Sequence, residues 1–240
     1  VTAASFFFRI AARSSALVLV AACARPAATQ SPATSPSPAP HTQPAAATQT
    51  TAPAQGTPGG ILASFVTEPM IVLPAQRLHV SVPDWADKVG DPRAYLSGFD
   101  DEFAFAIRDH GLKVHWAFPA DLERSARRNP GYTADPYELT LAPLAPVEHD
   151  PDKLIADPLA GQLRTFTSLF NARYALVPVE LALIPDATGG HAALHVVIID
   201  TRAARVMWKG DIASDGTRNF SPAIAAGVAG RLADLFTPAR

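Results

Sequence analysis

Two periods of hydrophobic residues organise the second half of the chain. Ala175, Val177, Val179, Leu181 and Leu183 alternate with other positions, the period-two signature of a strand. Pro178 interrupts that run and points to an edge or a bulge. Leu194 to Ile199 is apolar on both faces, as a central strand requires. Val206, Trp208 and Ile212 then alternate with Arg205, Lys209 and Asp211, which predicts a strand solvated on one side. Asp200-Thr201-Arg202-Ala203 reads as the hairpin turn between these last two. On either side the period changes to that of a helix. Asp157-Pro158 precedes Leu159, Leu163, Phe166 and Phe170, and Ser221-Pro222 precedes Ile224, Val228, Leu232, Leu235 and Phe236.

The first half of the domain repeats the theme less regularly. Leu78, Val80 and Val82 alternate as a strand within residues 76–82. Asp91-Pro92 supplies an N-cap and a proline at the first helical position, and Leu96, Phe99, Phe103, Ile107 and His110 follow at helical spacing up to Gly111. A strand is predicted from Lys113 to Phe118 and a short helix from Ala120 to Arg128, ending at Asn129-Pro130-Gly131. Residues 132–151 are proline-rich and irregular. The order β-α-β-α, then α-β-β-β-α, predicts an α/β protein of the α+β type, with a mixed, largely antiparallel sheet packed with helices.

Composition divides the chain before residue 61. Residues 24–60 are Pro, Ala, Thr, Ser, Gln and Gly with little else, and Arg25 is their only formally charged side chain. A segment without large apolar residues cannot offset its ordering entropy, so a disordered tether is expected, biased toward polyproline II by Pro32, Pro36, Pro38, Pro40 and Pro44. Fully extended, it would reach roughly 110 Å, and as a flexible coil about 35 Å. Upstream, Arg9 and Arg13 precede the short apolar run Leu17-Val18-Leu19-Val20-Ala21-Ala22, which ends at Cys23. A basic region, a short apolar stretch and small residues before a cut describe a secretory signal peptide, and the stretch is too short to span a bilayer.

Val20-Ala21-Ala22-Cys23 resembles the lipobox of bacterial lipoproteins. The resemblance implies cleavage before Cys23, a diacylglycerol thioether on its sulfur and palmitate or a similar acyl group on the new amino terminus. Several acyl chains exceed the two lipid signals that stable anchoring needs. Ala24 in place of Asp favours, by the same resemblance, the outer membrane facing the periplasm. Val1 is expected to reflect an alternative start codon. The organisation read from the chain is therefore a signal peptide at 1–22, a lipidated Cys23 and tether over 23–60, and a single domain over 61–240.

Charge and cysteine content narrow the functional classes. With Arg9, Arg13 and Arg25 set aside from the 20 basic residues, 17 remain in residues 61–240 against all 22 acidic ones, a net charge near −5. That sign argues against a nucleic-acid partner and against electrostatic attachment to anionic lipid. Cys23 is the only cysteine, so the mature domain can form neither an internal disulfide nor a thiolate metal cluster.

Several side-chain groupings could carry chemistry, and each has an ordinary reading beside it. His191 and His195 are four apart, but on a strand that spacing is about 13 Å, too far to share one metal ion. His110 and His115 flank Gly111 and read as a helix end and a polar strand face. Asp100-Asp101-Glu102 points in successive directions around a helix and reads as a solvated face rather than an acid–base pair. Arg124, Arg127 and Arg128 would share a helical face able to grip a carboxylate or phosphate. No Gly-x-Ser-x-Gly elbow, His-Glu-x-x-His run or phosphate loop occurs. No cofactor and no metal are expected, and no catalytic residue is assigned.

A second resemblance covers about a quarter of the chain. Asn171-Ala172-Arg173-Tyr174-Ala175, then His195-Val196-Val197-Ile198-Ile199-Asp200-Thr201-Arg202, then Val206-Met207-Trp208 are similar to a pattern in several periplasmic lipoprotein families. These are the curli-secretion lipoprotein, the lipoprotein activators of cell-wall synthases and the amino-terminal domain of the Tol translocation protein. The resemblance implies a small α/β fold and a role in envelope assembly through protein contacts. The expectation is thus a non-catalytic, membrane-anchored module that binds an envelope protein or itself, through the Pro178 strand and the Arg124/Arg127/Arg128 face. The alternative is an envelope ligand-binding module or hydrolase acting on glycan or lipid, with the irregular region after Tyr132 as a lid.

Overall fold

The computed structural model describes residues 62–111, 116–144 and 154–237. The expected signal peptide, Cys23, the tether, His115 and part of the irregular region lie outside the described residues.

Six strands form one mixed sheet: β1 (Met70–Val72), β2 (Leu78–Val80), β3 (Trp116–Ala117), β4 (Tyr174–Asp186), β5 (Gly189–Asp200) and β6 (Arg205–Ala213). Their order is β3-β1-β4-β5-β6, with β2 beside β4 as well. The long strands β4, β5 and β6 pair antiparallel, whereas the short β1 runs parallel to β3 and β4, and β2 parallel to β4. The helices are α1 (Ala86–Val89), α2 (Pro92–Asp109), α3 (Pro119–Arg128), α4 (Leu159–Leu169) and α5 (Ala223–Phe236). This is the α/β architecture that the periodicity predicts.

Both faces of the sheet are packed. Helices α2 and α5 cover one, where Phe99, Phe103, Ile107, Val228, Leu232 and Phe236 meet Met70, Leu176, Leu194 and Ile198. Helix α4 covers part of the other, where Leu159, Leu163 and Phe166 meet Ile71, Ala175, Val177 and Ile199. Fully burying a side chain of this size contributes about 1.5–3 kcal/mol, so these two layers dominate the stability. The expected caps are present in modified form. The Asp91 carboxylate accepts from the Arg93 amide at 3.0 Å, while Asp157 caps α4 by accepting from Gly161 N at 2.9 Å. Gly111 ends α2 at φ 68°, a left-handed position that suits glycine.

Two features correct the sequence reading. Met70-Ile71-Val72 forms an interior strand that three residues are too few to announce by periodicity. The run Ala175–Leu183 does not present one face: the register shifts between Pro178 and Glu180. This bulge sends Ala175, Val177 and Val179 toward α4, and Leu181 and Leu183 toward α2 and α5. Pro178 is therefore a bulge residue in an interior strand, buried, and not at an edge. It falls in the interval between the β1 and β2 partners of β4, where its missing amide interrupts neither short ladder. Among the described residues the strands with a single neighbour are β3, β2 and β6.

Candidate functional site

Helix α3 stands between two clefts. Pro119 occupies its first position, and the Asp121 carboxylate accepts from the Phe118 amide at 3.2 Å, closing the amino end. Arg127 and Arg128 occupy its last turn, where cations oppose the negative end of the helix dipole. Arg124 and Arg128, one turn apart, line a cleft of about 460 Å³ with Ser125, Asn129, Leu169 and the wall residue Trp116. The cleft lies beside edge strand β3 and the last turn of α4. Arg124 Nη1 donates to Asp121 Oδ1 at 3.0 Å, which orients its guanidinium without hiding it, since 54% of the side chain is exposed. Arg128 makes no ion pair among the described residues. Trp116 is buried, and its indole N–H has no acceptor among them either.

Arg127 departs from this grouping. Its guanidinium donates to the Glu123 carboxylate, and Glu123 lines the second cleft on the other flank of α3. The structure thus brings Arg124 and Arg128 together and leaves Arg127 on a different side.

The second cleft, about 440 Å³, is walled by Ser97 and Arg93 of α2, Glu123 of α3, Gln76 and Tyr137. Beneath it Asp100 departs from the sequence expectation. It is buried rather than part of a solvated face, while Asp101 and Glu102 are exposed as expected. Asp100 Oδ1 accepts from the Ala75 amide at 3.0 Å, and Oδ2 has no partner among the described residues. Burial pushes the Asp100 carboxyl well above its ordinary value, against the Ala75 hydrogen bond, which pulls it down. Burial also raises the Tyr137 phenol, aided by the nearby carboxyls of Asp100 and Glu123. Asp100 stands four residues after Leu96 and three before Phe103, inside the apolar stripe of α2, so its helical position carries the burial signal that the run of three acids masks.

Among the described residues, His110, His191 and His195 line neither cleft. His191 and His195 sit on one face of β5, each with its own carboxylate: His191 Nδ1 lies 3.1 Å from Asp186 Oδ2 and His195 Nδ1 2.7 Å from Asp211 Oδ1. Among the described residues no three metal-ligating side chains cluster. His110 ends α2, its Nδ1 2.7 Å from Ala106 O and its Nε2 2.8 Å from Asp234 Oδ1 of α5. The Asp234 hydrogen bond, with the Ala106 carbonyl second, raises the His110 imidazole.

The Arg-Tyr and Asp-Thr motifs form a single structural knot. Arg173 Nε and Nη2 donate to Asp200 Oδ2 at 2.9 and 2.7 Å, while Asp200 Oδ1 accepts from the Arg202 and Ala203 amides. The Thr201 hydroxyl donates to Arg173 O at 2.9 Å and lies 2.9 Å from the Thr167 hydroxyl of α4. Burial alone would raise the Asp200 carboxyl, but the Arg173 guanidinium and the turn amides outweigh it and hold it below its ordinary value. These residues join the start of β4, the β5–β6 turn and α4, so their role is to set the fold.

No protein-family model and no curated protein sequence matches the chain. Among solved structures, it is similar to LpoB from Escherichia coli at 15% identity and a TM-score of 0.36, over 84% of this chain and 94% of that one. It is similar to the PelC dodecamer subunit from Paraburkholderia phytofirmans at 14% identity and a TM-score of 0.33, over 76% and 95% of the two chains. Lipoprotein GNA1162 from Neisseria meningitidis is similar at 14% identity and a TM-score of 0.32, over 64% and 84%. At these identities and scores the likenesses establish neither a shared activity nor a shared partner.

Proposed function

We propose that this protein is a lipid-anchored module of the bacterial cell envelope that binds another envelope protein and catalyses no reaction. Residues 1–22 direct export, Cys23 carries the lipid, and residues 23–60 hold the domain off the membrane. The proposed location is the outer membrane, facing the periplasm. The lipobox-like run at Val20–Cys23 and the uncharged proline-rich stretch behind it support this placement.

The observation that carries the binding role is the cleft holding Arg124 and Arg128 on a domain whose net charge is near −5. Two guanidiniums beside β3, whose outer edge pairs with no other strand among the described residues, suit an acidic segment of a partner protein. Its carboxylates would meet the planar guanidinium forks while its backbone lies along β3. Leu169, 38% exposed at the cleft, offers the apolar contact that such a segment needs. The test is cross-linking of the full-length lipoprotein in envelopes, with partners identified by mass spectrometry. The double variant Arg124→Glu/Arg128→Glu should lower recovery of the partner at least tenfold, while Arg127→Glu should leave it near wild type. Equal recovery from both would reject the cleft, and a wild-type chain that cross-links to nothing would reject the binding role.

A further inference from the structure

The second cleft has a composition that the Arg124/Arg128 site does not explain. Its volume, about 440 Å³, falls in the range of small-molecule sites. Its shape is held from two sides. Gln76 Nε2 donates to Pro136 O at 2.9 Å, and the Asp135 carboxylate accepts from the Tyr137 amide at 2.8 Å, so Tyr137 is fixed at the mouth by a turn rather than left on a free loop. The opposite wall is the solvent-facing side of α2, a rigid element.

The charges lining the cleft largely cancel. The Glu123 carboxylate is engaged by Arg127, and Arg93 sits at the exposed rim. Asp100 does not line the cleft; it is buried, holds the backbone amide of the lining residue Ala75, and burial raises its carboxyl well above the ordinary value. What remains facing the space is a mixture of neutral donors and acceptors: the Ser97 hydroxyl, the Gln76 amide and the Tyr137 phenol. An aromatic ring and the small apolar side chains of Ala75 and Ala94 lie among them. A free anion would meet only the single exposed Arg93 guanidinium, and a free cation only a carboxylate that Arg127 already engages. A sugar suits the neutral groups, because each ring hydroxyl both donates and accepts, and the C–H face of the ring packs on an aromatic side chain.

We infer that the cleft between α2, α3 and the Tyr137 turn binds a short oligosaccharide, with Tyr137 stacking on a sugar ring and Ser97, Gln76 and Glu123 hydrogen-bonding its hydroxyls. Asp100 is a positioning residue. Its Oδ1 accepts from the amide of Ala75, a lining residue of the cleft. This inference is independent of the partner-binding reading, since the two clefts share no lining residue.

The test is isothermal titration of the full-length lipoprotein in detergent micelles with two neutral probes, the tetramers of N-acetylglucosamine and of α-1,4-linked glucose. Saturable one-site binding of either probe is expected. Tyr137→Ala should weaken it roughly tenfold by removing the stacking surface. Ser97→Trp, at an exposed helix position, should abolish it by filling the space. Arg124→Glu/Arg128→Glu should leave it unchanged, which separates this site from the partner cleft. Absence of binding by both probes overturns the inference, as does binding that survives both Tyr137→Ala and Ser97→Trp. Far-ultraviolet circular dichroism of each variant confirms that the fold is intact.

Discussion

Asp100 holds its carboxyl behind the Ala75 backbone, with one oxygen bonded and the other unpartnered among the described residues. Its folded-state affinity for a proton is raised, so between the ordinary carboxyl value of 3.8 and the raised one the native state binds more protons than the unfolded chain. Stability contributed by this site therefore falls as pH rises through that window. Asn at this position keeps an acceptor for the Ala75 amide and cannot ionise. Asp100→Asn should raise the Tm at pH 7 by about 2–4 °C. The advantage should disappear below pH 3.8, and a thermal melt series across pH checks both the sign and the window. Asp200 is the opposite case at the same scale, a buried carboxylate held ionised by Arg173 and two turn amides. Asp200→Ala should cost about 2 kcal/mol, read from chemical denaturation midpoints, because it strands the Arg202 and Ala203 amides. An unchanged midpoint would show that the knot is dispensable.

At the scale of elements, the bulge in β4 does the work that a second strand would do elsewhere. One long strand packs its first half against α4 and its second half against α2 and α5 because the register shift at Pro178 and Glu180 reverses the side-chain parity. The proline is legible in sequence as a break in the ladder. Whether it marks an edge or a bulge depends on which strands lie alongside, and here β1 and β2 fill both ends of the exposed flank of β4. Helix α3 shows the same dependence. Arg124, Arg127 and Arg128 lie within five residues, yet the position of Glu123 and the course of β3 divide them between two surfaces. Helices α2, α4 and α5 were readable almost residue by residue, because an amphipathic stripe reports its buried face directly.

At the scale of the molecule, the proposed anchor and the folded domain fall in separate segments. If Cys23 carries the lipid, Cys23→Ala should abolish labelling of the protein by radioactive palmitate while the domain's thermal melt is unaltered. Metabolic labelling followed by immunoprecipitation checks this, and labelling that persists in the variant would remove the anchor from the account. The sequence alone determined the order of the longer helices and strands, the mixed sheet and the composition break near residue 60, because these follow from local periodicity and from the entropy that a polar, proline-rich segment cannot offset. Only tertiary structure decided that Met70-Ile71-Val72 is an interior strand and that the Ala75 backbone closes over the Asp100 carboxyl. It also decided that two clefts flank one helix. Each of these depends on groups distant in the chain meeting in space, and no window of sequence contains both sides of such a contact.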